Sequence, residues 1–227
     1  MKLLISEEQY RKLFEARMEG FRLDYLRSAK SLKERVKYCN EMLGEPIGKG
    51  SSRLVYQIDD ETVLKLAYNK KGIAQNSEEI KIASEGFIGC VPKIYNGSDE
   101  DNGLWVITQY VLPAKKEDFK NVLGMDFNDI CNFARYTDRR HDRRFGDAIM
   151  RNADNAVRCL YNRYENNEEV IEIFNDINEL KASYDQMAVD FGGIRNWGLT
   201  RENGKEKLVI LDTGFSEEVY NQFYRRM

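Results

Sequence analysis

The chain has 227 residues, a formal net charge of −3 and 32% charged residues. This length is enough for one large domain or for two lobes with a sizeable core. The balance of charges argues against a general nucleic-acid-binding protein, and we interpret the basic run at 139–144, which acidic and neutral residues interrupt, as solvated surface. Because no long apolar run and no signal-like N-terminus is present, we expect a soluble protein without membrane contact.

Cysteine usage indicates the redox compartment. The cysteines Cys39, Cys90, Cys131 and Cys159 lie far apart and form no CxxC pair. With His141 as the single histidine, the pattern does not favour a structural zinc site. Unpaired, scattered cysteines are typical of a reducing compartment, so we expect a cytoplasmic protein.

Residues 1–43 predict a helical N-terminal extension. Ser6, with Gln9 three residues later, is typical of a capping box that opens a helix, and apolar residues then recur at helical spacing as far as Phe21. A second helix is predicted over 32–43, because Gly44 follows it as a stop signal. We interpret these helices as a scaffold packed on the sheet that follows.

A glycine-rich hairpin begins at residue 47. Gly48 and Gly50 would let backbone N–H groups approach an anion closely, and the hydroxyls of Ser51 and Ser52 would add donors without bulk. Two short strands follow, over 54–58 and 63–66, with a polar turn between them. This pattern is typical of a phosphate-binding loop, although an ordinary surface hairpin has the same local features.

Lys65 lies in the second of these strands between Leu64 and Leu66. A lysine in an apolar strand either extends its ammonium group to solvent or meets an anion. Together with the glycines, it makes the hairpin a candidate phosphate-binding element.

The rest of the segment 44–111 predicts a small, mostly antiparallel sheet with one helix. The helix is expected over 73–85. An edge strand is expected over 91–95, since it contains Pro92, and a strong strand over 104–111, which is rich in branched and aromatic residues. A cluster of turn-forming residues separates the two strands.

Segment 112–227 contains proline only at its start and is mostly helical in pattern. Helices are predicted over 119–123, 127–136, 145–164, 168–184 and 217–224. Between the last two, a glycine-containing loop over 189–199 precedes a hairpin turn at Asn203-Gly204 and a strand over 207–211. The chain as a whole is therefore expected to be an α+β protein.

The order of these elements resembles the protein kinase-like fold, with a sheet-plus-helix N-lobe over 44–111 and a truncated, mostly helical C-lobe over 112–227. Three segments, 50–56, 70–76 and 210–215, look like small kinase-like proteins encoded by tailed bacteriophages. The resemblance runs from about residue 40 to the C-terminus. Arg53 stands where the glycine-rich loop of this fold usually has a third glycine.

The resemblance implies an ATP site with Mg²⁺. Gly48, Gly50, Ser51 and Ser52 would form the phosphate loop. Lys65 would bind phosphates and pair with a carboxylate of the following helix, Glu79 or the less favoured Glu78. The backbone of Gln109 and Val111 would contact adenine. In the helical lobe, the implied roles are a catalytic base for Asp190 and magnesium ligands for Asn196 and Asp212.

Three features depart from the kinase pattern. Asp190 and Asn196 are six residues apart, against five in the usual catalytic loop, and no His-Arg pair precedes Asp190. Only thirteen residues follow Gly214, so we expect no activation segment or peptide-docking helices. The extra residue predicts a bulge at Gly192-Gly193 with positive φ, because only glycine takes positive φ at little cost.

Three functions are compatible with this pattern. The first is ATP-dependent phosphotransfer to a protein or small molecule. The second is a weakly active or inactive pseudokinase that binds a host or viral protein during infection, in the host cytoplasm if the chain is phage-encoded. The third is transfer of the nucleotide itself, with ATP bound in an inverted orientation.

Overall fold

The computed structural model describes residues 20–85, 88–97, 103–138, 147–202 and 204–225. The predicted capping box at Ser6, the basic run at 139–144 and Asn203 of the predicted hairpin turn lie outside these residues. Within them the chain is an α+β protein with a small antiparallel sheet, as the sequence predicts.

The order of the described helices and strands is close to the order predicted from the sequence. The helices are α1 (Leu23–Ser28), α2 (Leu32–Leu43), α3 (Lys70–Glu85), α4 (Lys116–Leu123), α5 (Phe127–Tyr136), α6 (Asp147–Arg163), α7 (Glu168–Ser183), α8 (Ala188–Phe191) and α9 (Glu217–Phe223). The strands are β1 (Gly48–Lys49), β2 (Arg53–Gln57), β3 (Thr62–Ala67), β4 (Ile94–Asn96), β5 (Trp105–Gln109), β6 (Leu112–Pro113), β7 (Trp197–Glu202) and β8 (Lys205–Ile210). No described helix is long and apolar enough to cross a membrane.

A five-stranded antiparallel sheet has the order β1-β2-β3-β5-β4. Successive side chains of a strand point to opposite faces, so every second residue of β2, β3 and β5 shares a face. One face packs against α1 and α2 in a core formed by Phe21, Leu26, Cys39, Leu54, Tyr56, Leu64, Leu66, Trp105 and Ile107. The other face carries Arg53, Lys65 and Thr108, all buried. Because both faces are covered, β3 is buried along its whole length.

A second core lies among α4 to α8 and a three-stranded sheet of order β6-β7-β8. Its centre is aromatic: the rings of Phe133 and Phe174 stack at 4.0 Å, and Phe119 meets Trp197 edge-on at 5.2 Å. Ile82 of α3 belongs to this second core. Helix α3 therefore connects the core of the helical part to the five-stranded sheet.

The loop predicted over 189–199 is wrong in its details. The segment contains the short helix α8, a 3₁₀ turn at Ile194–Asn196 and the start of β7. Gly192 and Gly193 have φ angles of −81° and −96°, so the predicted bulge with positive φ is also wrong. Helical turns shorten the path between Asp190 and Asn196, and the extra residue therefore needs no left-handed backbone.

Gly198 in β7 explains why this strand has a weak sequence signal. A Cβ atom at Gly198 would lie 2.4 Å from Val111 Cγ1 and 3.0 Å from the Leu112 carbonyl oxygen. The close pairing of β6 with β7 therefore requires glycine at a position where glycine lowers strand propensity. Packing from a distant segment thus outweighs the local preference.

Gly72→Ala is expected to destabilise the protein by about 1–3 kcal/mol, the usual cost of overpacking. Alanine is the better helix former, but its Cβ at position 72 in α3 would lie 2.2 Å from the Ser52 carbonyl oxygen. Chemical denaturation measures the change. The matched control is Gly192→Ala, where φ is −81° and no heavy atom beyond the chain neighbours lies closer than 3.8 Å. Equal unfolding free energies for the two variants would contradict the close approach of α3 to the glycine turn, residues 48–53.

Candidate functional site

Lys65 projects from the middle of β3 towards α3. Its Nζ donates to Glu79 Oε2 at 2.8 Å and to the Leu211 carbonyl oxygen at 2.8 Å. Glu79 is 4% exposed, whereas the adjacent Glu78 is only partly buried. The ion pair predicted from the sequence is therefore present, with the favoured glutamate.

The inward face of α3 is polar, which is unusual for a buried helix face. Residues three positions apart share a face of a helix. This face of α3 carries Asn76, Glu79 and Ile82, which are all buried. Ile82 contacts the helical core, while the two polar residues face the sheet. This helix therefore carries a carboxylate into the interior, where only paired charges are tolerated.

Arg53 supplies the second cation of the cluster. Its Nη1 donates to Glu79 Oε1 at 2.7 Å and to Asn76 Oδ1 at 3.2 Å, and its Nη2 donates to Asp212 Oδ1 at 2.8 Å. The sequence identified Arg53 only as a departure from the glycine pattern. The available signal for Arg53 was its position: it is a charged residue directly after the glycine-rich hairpin turn, on the same strand face as Val55.

Asp212 follows the end of β8 and faces Arg53. Its Oδ1 also accepts a hydrogen bond from the Gly214 backbone N–H at 3.3 Å. Burial alone would raise the pKa of Asp212, but the positive charges of Arg53 and Lys65 outweigh this effect and hold that pKa below its ordinary value. Similarly, burial would lower the pKa of Arg53, but the carboxylates of Asp212 and Glu79 raise it. Asp212 and Arg53 are therefore both charged at neutral pH.

The glycine turn is closed by its own hydrogen bonds. The Gly50 N–H donates to the Arg53 carbonyl oxygen at 2.9 Å, while Gly48 lies in β1 and pairs with β2. Ser51 is exposed and its hydroxyl accepts from Lys71 Nζ at 2.7 Å. Ser52 is buried and donates to Gln75 Oε1, so its hydroxyl hydrogen is used within the protein.

The segment predicted to contact adenine leaves the sheet at the end of β5. The Gln109 backbone N–H donates to the Lys93 carbonyl oxygen at 2.8 Å, and its side-chain Nε2 donates to Thr200 Oγ1 at 2.8 Å. The side chain of Val111 is 8% exposed and packs over Gly198. Gln109 and Val111 thus lie where the chain passes from one sheet to the other.

Asp190 and Asn196 are brought together by the helical turns between them. Asn196 Nδ2 donates to the Asp190 carbonyl oxygen at 3.0 Å and contacts Asp190 Oδ1 at 3.5 Å. The Asn196 carbonyl oxygen accepts from the Leu211 N–H at 2.7 Å. Asn196 therefore connects Asp190 to the strand end that carries Asp212.

A small cavity of about 10 Å³ lies beside the ion pair, enough for about one water molecule. Its lining residues come from the sheet, from α3 and from the end of β8: Lys65, Glu79, Ile82, Ala83, Val91, Pro92, Ile94, Thr108, Leu211 and Thr213. This space is too small for a nucleotide. A nucleotide bound in front of Lys65 and Asp212 would therefore need a wider cleft between the two cores.

Asp212 and Asn196 carry side-chain oxygen atoms of the kind that bind a magnesium ion. Among the described residues, no three His, Cys, Asp or Glu side chains form a group that could hold a metal. Mg²⁺, however, commonly binds through one or two protein oxygens and completes its shell with waters and phosphate oxygens. The Asp212 carboxylate and the Asn196 amide oxygen have this chemistry.

Comparisons with protein-family models, with curated proteins and with solved structures found no match. The contacts of Lys65, Arg53, Glu79 and Asp212 are therefore the basis for a functional proposal.

Proposed function

We propose that the chain is a kinase-like, ATP-dependent phosphotransferase. The observation that carries this proposal is the position of Lys65, which contacts Glu79 of α3 and the Leu211 carbonyl oxygen at 2.8 Å each. A buried lysine is thereby held against Leu211, which is 146 positions later in the chain and is the residue before Asp212. A cation and a carboxylate converging from distant segments are what binding and transfer of a phosphoryl group require.

The two cores support a two-lobed, kinase-like arrangement. The five-stranded sheet with α3 would be the N-lobe, and the helical core with the β6-β7-β8 sheet would be the C-lobe. The cluster of Lys65, Glu79 and Asp212 lies where elements of the two cores meet. A nucleotide would enter between them.

Each residue has a defined role in this proposal. Lys65 uses two of its three ammonium donors within the protein, so the third would bind a phosphate oxygen. Asp212 and Asn196 would hold Mg²⁺, which when bound neutralises phosphate charge. Asp190, which Asn196 orients, would accept the proton of the acceptor hydroxyl.

One contact favours a second candidate, the pseudokinase. Arg53 Nη2 lies 2.8 Å from Asp212 Oδ1 and already balances the charge of this carboxylate. A carboxylate that is paired with a protein cation has less need of a metal ion. On this alternative, the chain would keep the scaffold, with or without nucleotide, and act by binding a host or viral protein.

Isothermal titration calorimetry with Mg·ATP and release of the γ-phosphate test the proposal. Lys65→Met should weaken ATP binding about 30-fold or more, as is typical when one side of a charge pair is truncated. Asp212→Asn should lower turnover by about 100-fold or more, because the metal carboxylate acts in the transition state. The control is Lys120→Met, which changes an exposed lysine of α4. Absence of ATP binding to the wild type would contradict the proposal, and binding without turnover would identify the pseudokinase.

A further inference from the structure

Arg53 is held in place more firmly than a mobile cleft residue would be. Its side chain is 9% exposed, and Nη1 uses both of its N–H groups on Glu79 and Asn76. Asn76 is itself anchored, because its Nδ2 donates to the carbonyl oxygens of Lys65 at 3.3 Å and Gly103 at 2.8 Å. The guanidinium group is therefore held within the cluster by three hydrogen bonds.

Arg53 and Lys65 project from neighbouring strands to the same side of the sheet. In the β2–β3 pairing, Arg53 lies opposite Ala67 and Lys65 lies opposite Val55, so the two cations are diagonal neighbours. Both bind Glu79, one on each carboxylate oxygen. Asp212 is bound by Arg53 on Oδ1.

The charges in this cluster balance. Arg53 and Lys65 contribute two positive charges, and Glu79 and Asp212 contribute two negative charges. Without Arg53 the remaining three groups would carry a net charge of −1, which would repel a triphosphate unless a metal ion were added. With Arg53 present, the repulsion between Asp212 and a phosphate chain is offset by the protein itself.

We propose that Arg53 is the resident counter-cation of Asp212, so that the cleft binds a nucleoside triphosphate without requiring a divalent metal ion for affinity. This inference rests on the proposed function, because it takes a nucleoside triphosphate as the ligand. It concerns the binding step alone. The phosphoryl-transfer step keeps its need for a metal ion.

Calorimetric titration of ATP into the full chain, in excess EDTA and in excess Mg²⁺, tests the inference. For the wild type, the two dissociation constants should agree within about 10-fold. For Arg53→Gly, the affinity in EDTA should fall about 30-fold or more, the usual effect of removing one member of a close charge pair. The affinity of this variant in Mg²⁺ should remain near that of the wild type, because the metal ion then replaces the missing charge.

Two further variants separate charge from structure. Arg53→Lys keeps the positive charge and should retain binding in EDTA within about 10-fold of the wild type. In the background of Asp212→Asn, which removes the negative charge, Arg53→Gly should no longer create a metal requirement. Arg201→Gly is the matched control, because Arg201 is a strand arginine with a side chain that is 70% exposed. Thermal unfolding of each variant verifies that it is folded.

The wild-type titrations alone can overturn the inference, so it does not depend on the folding of any variant. Wild-type binding that weakens by more than about 10-fold in EDTA would overturn the inference and leave the proposed function intact. The inference would also be overturned if Arg53→Gly made ATP binding depend on a metal ion in the Asp212→Asn background as well. No ATP binding in either condition would overturn both the inference and the proposed function.

Discussion

Replacing Glu79 by glutamine is expected to destabilise the protein by about 3–5 kcal/mol, the cost that is typical of removing one member of a buried ion pair. Glu79 is 4% exposed and holds Lys65 on one carboxylate oxygen and Arg53 on the other. Glutamine has the same shape but no negative charge. Two buried cations would therefore share a single remaining carboxylate, that of Asp212, which is bound by Arg53.

Glu78→Gln is the matched control for this prediction. Glu78 is the adjacent residue of α3, only partly buried, and burial raises the pKa of its carboxyl group. Its replacement should change the free energy of unfolding by less than about 1 kcal/mol, as is common for positions outside a buried network. Urea denaturation gives both free energies, and ATP titration should show the same order of effects. Similar losses for the two variants would mean that the Glu79 ion pairs are not what stabilises α3 against the sheet.

Asp190→Asn is expected to lower turnover by about 10²–10⁴-fold, the range that general-base catalysis contributes. Asn196 Nδ2 donates to the Asp190 carbonyl oxygen at 3.0 Å, and the Leu211 N–H donates to the Asn196 carbonyl oxygen at 2.7 Å. Through Asn196, Asp190 is thus connected to Leu211, which lies between the end of β8 and Asp212. Because a base acts only in the transition state, the dissociation constant of ATP should remain unchanged.

Asp60→Asn is the control, since Asp60 is an exposed residue of the β2–β3 turn. Turnover measured as γ-phosphate release, together with ATP affinity, distinguishes the outcomes. Unchanged turnover in Asp190→Asn would exclude Asp190 as the base. Loss of ATP affinity together with turnover would instead indicate that Asp190 supports the shape of the cleft.

Local sequence signals were sufficient for much of the architecture. Helix α2 has the predicted bounds 32–43, because Ser31 caps its first turn and Gly44 ends it with φ of 83°. Helix α5 also has its predicted bounds. The strand lysine and its partner were predictable for a similar reason: an inward Lys65 in an apolar strand requires a nearby carboxylate, and α3 supplies Glu79.

The positions that the sequence predicted wrongly depend on segments far apart in the chain. Strand β7 reads as a loop because it contains Gly198, and that glycine is required by the close approach of Val111, Leu112 and Leu211. The six-residue spacing between Asp190 and Asn196 suggested a left-handed bulge, but the chain forms helical turns with negative φ instead.

The sequence by itself determined the α+β class, the end of α2 at Gly44 and the lysine that needs an anion, because propensity, capping and alternation act within a few residues. Only the tertiary structure decided the contacts of Arg53. Its partners Glu79 and Asp212 are 26 and 159 residues away, and no local pattern specifies which charges will meet once the two cores have packed. The sequence supplied the charged residues of the cluster. The packing of α3 between the sheet and the helices brings them together into a group with no net charge.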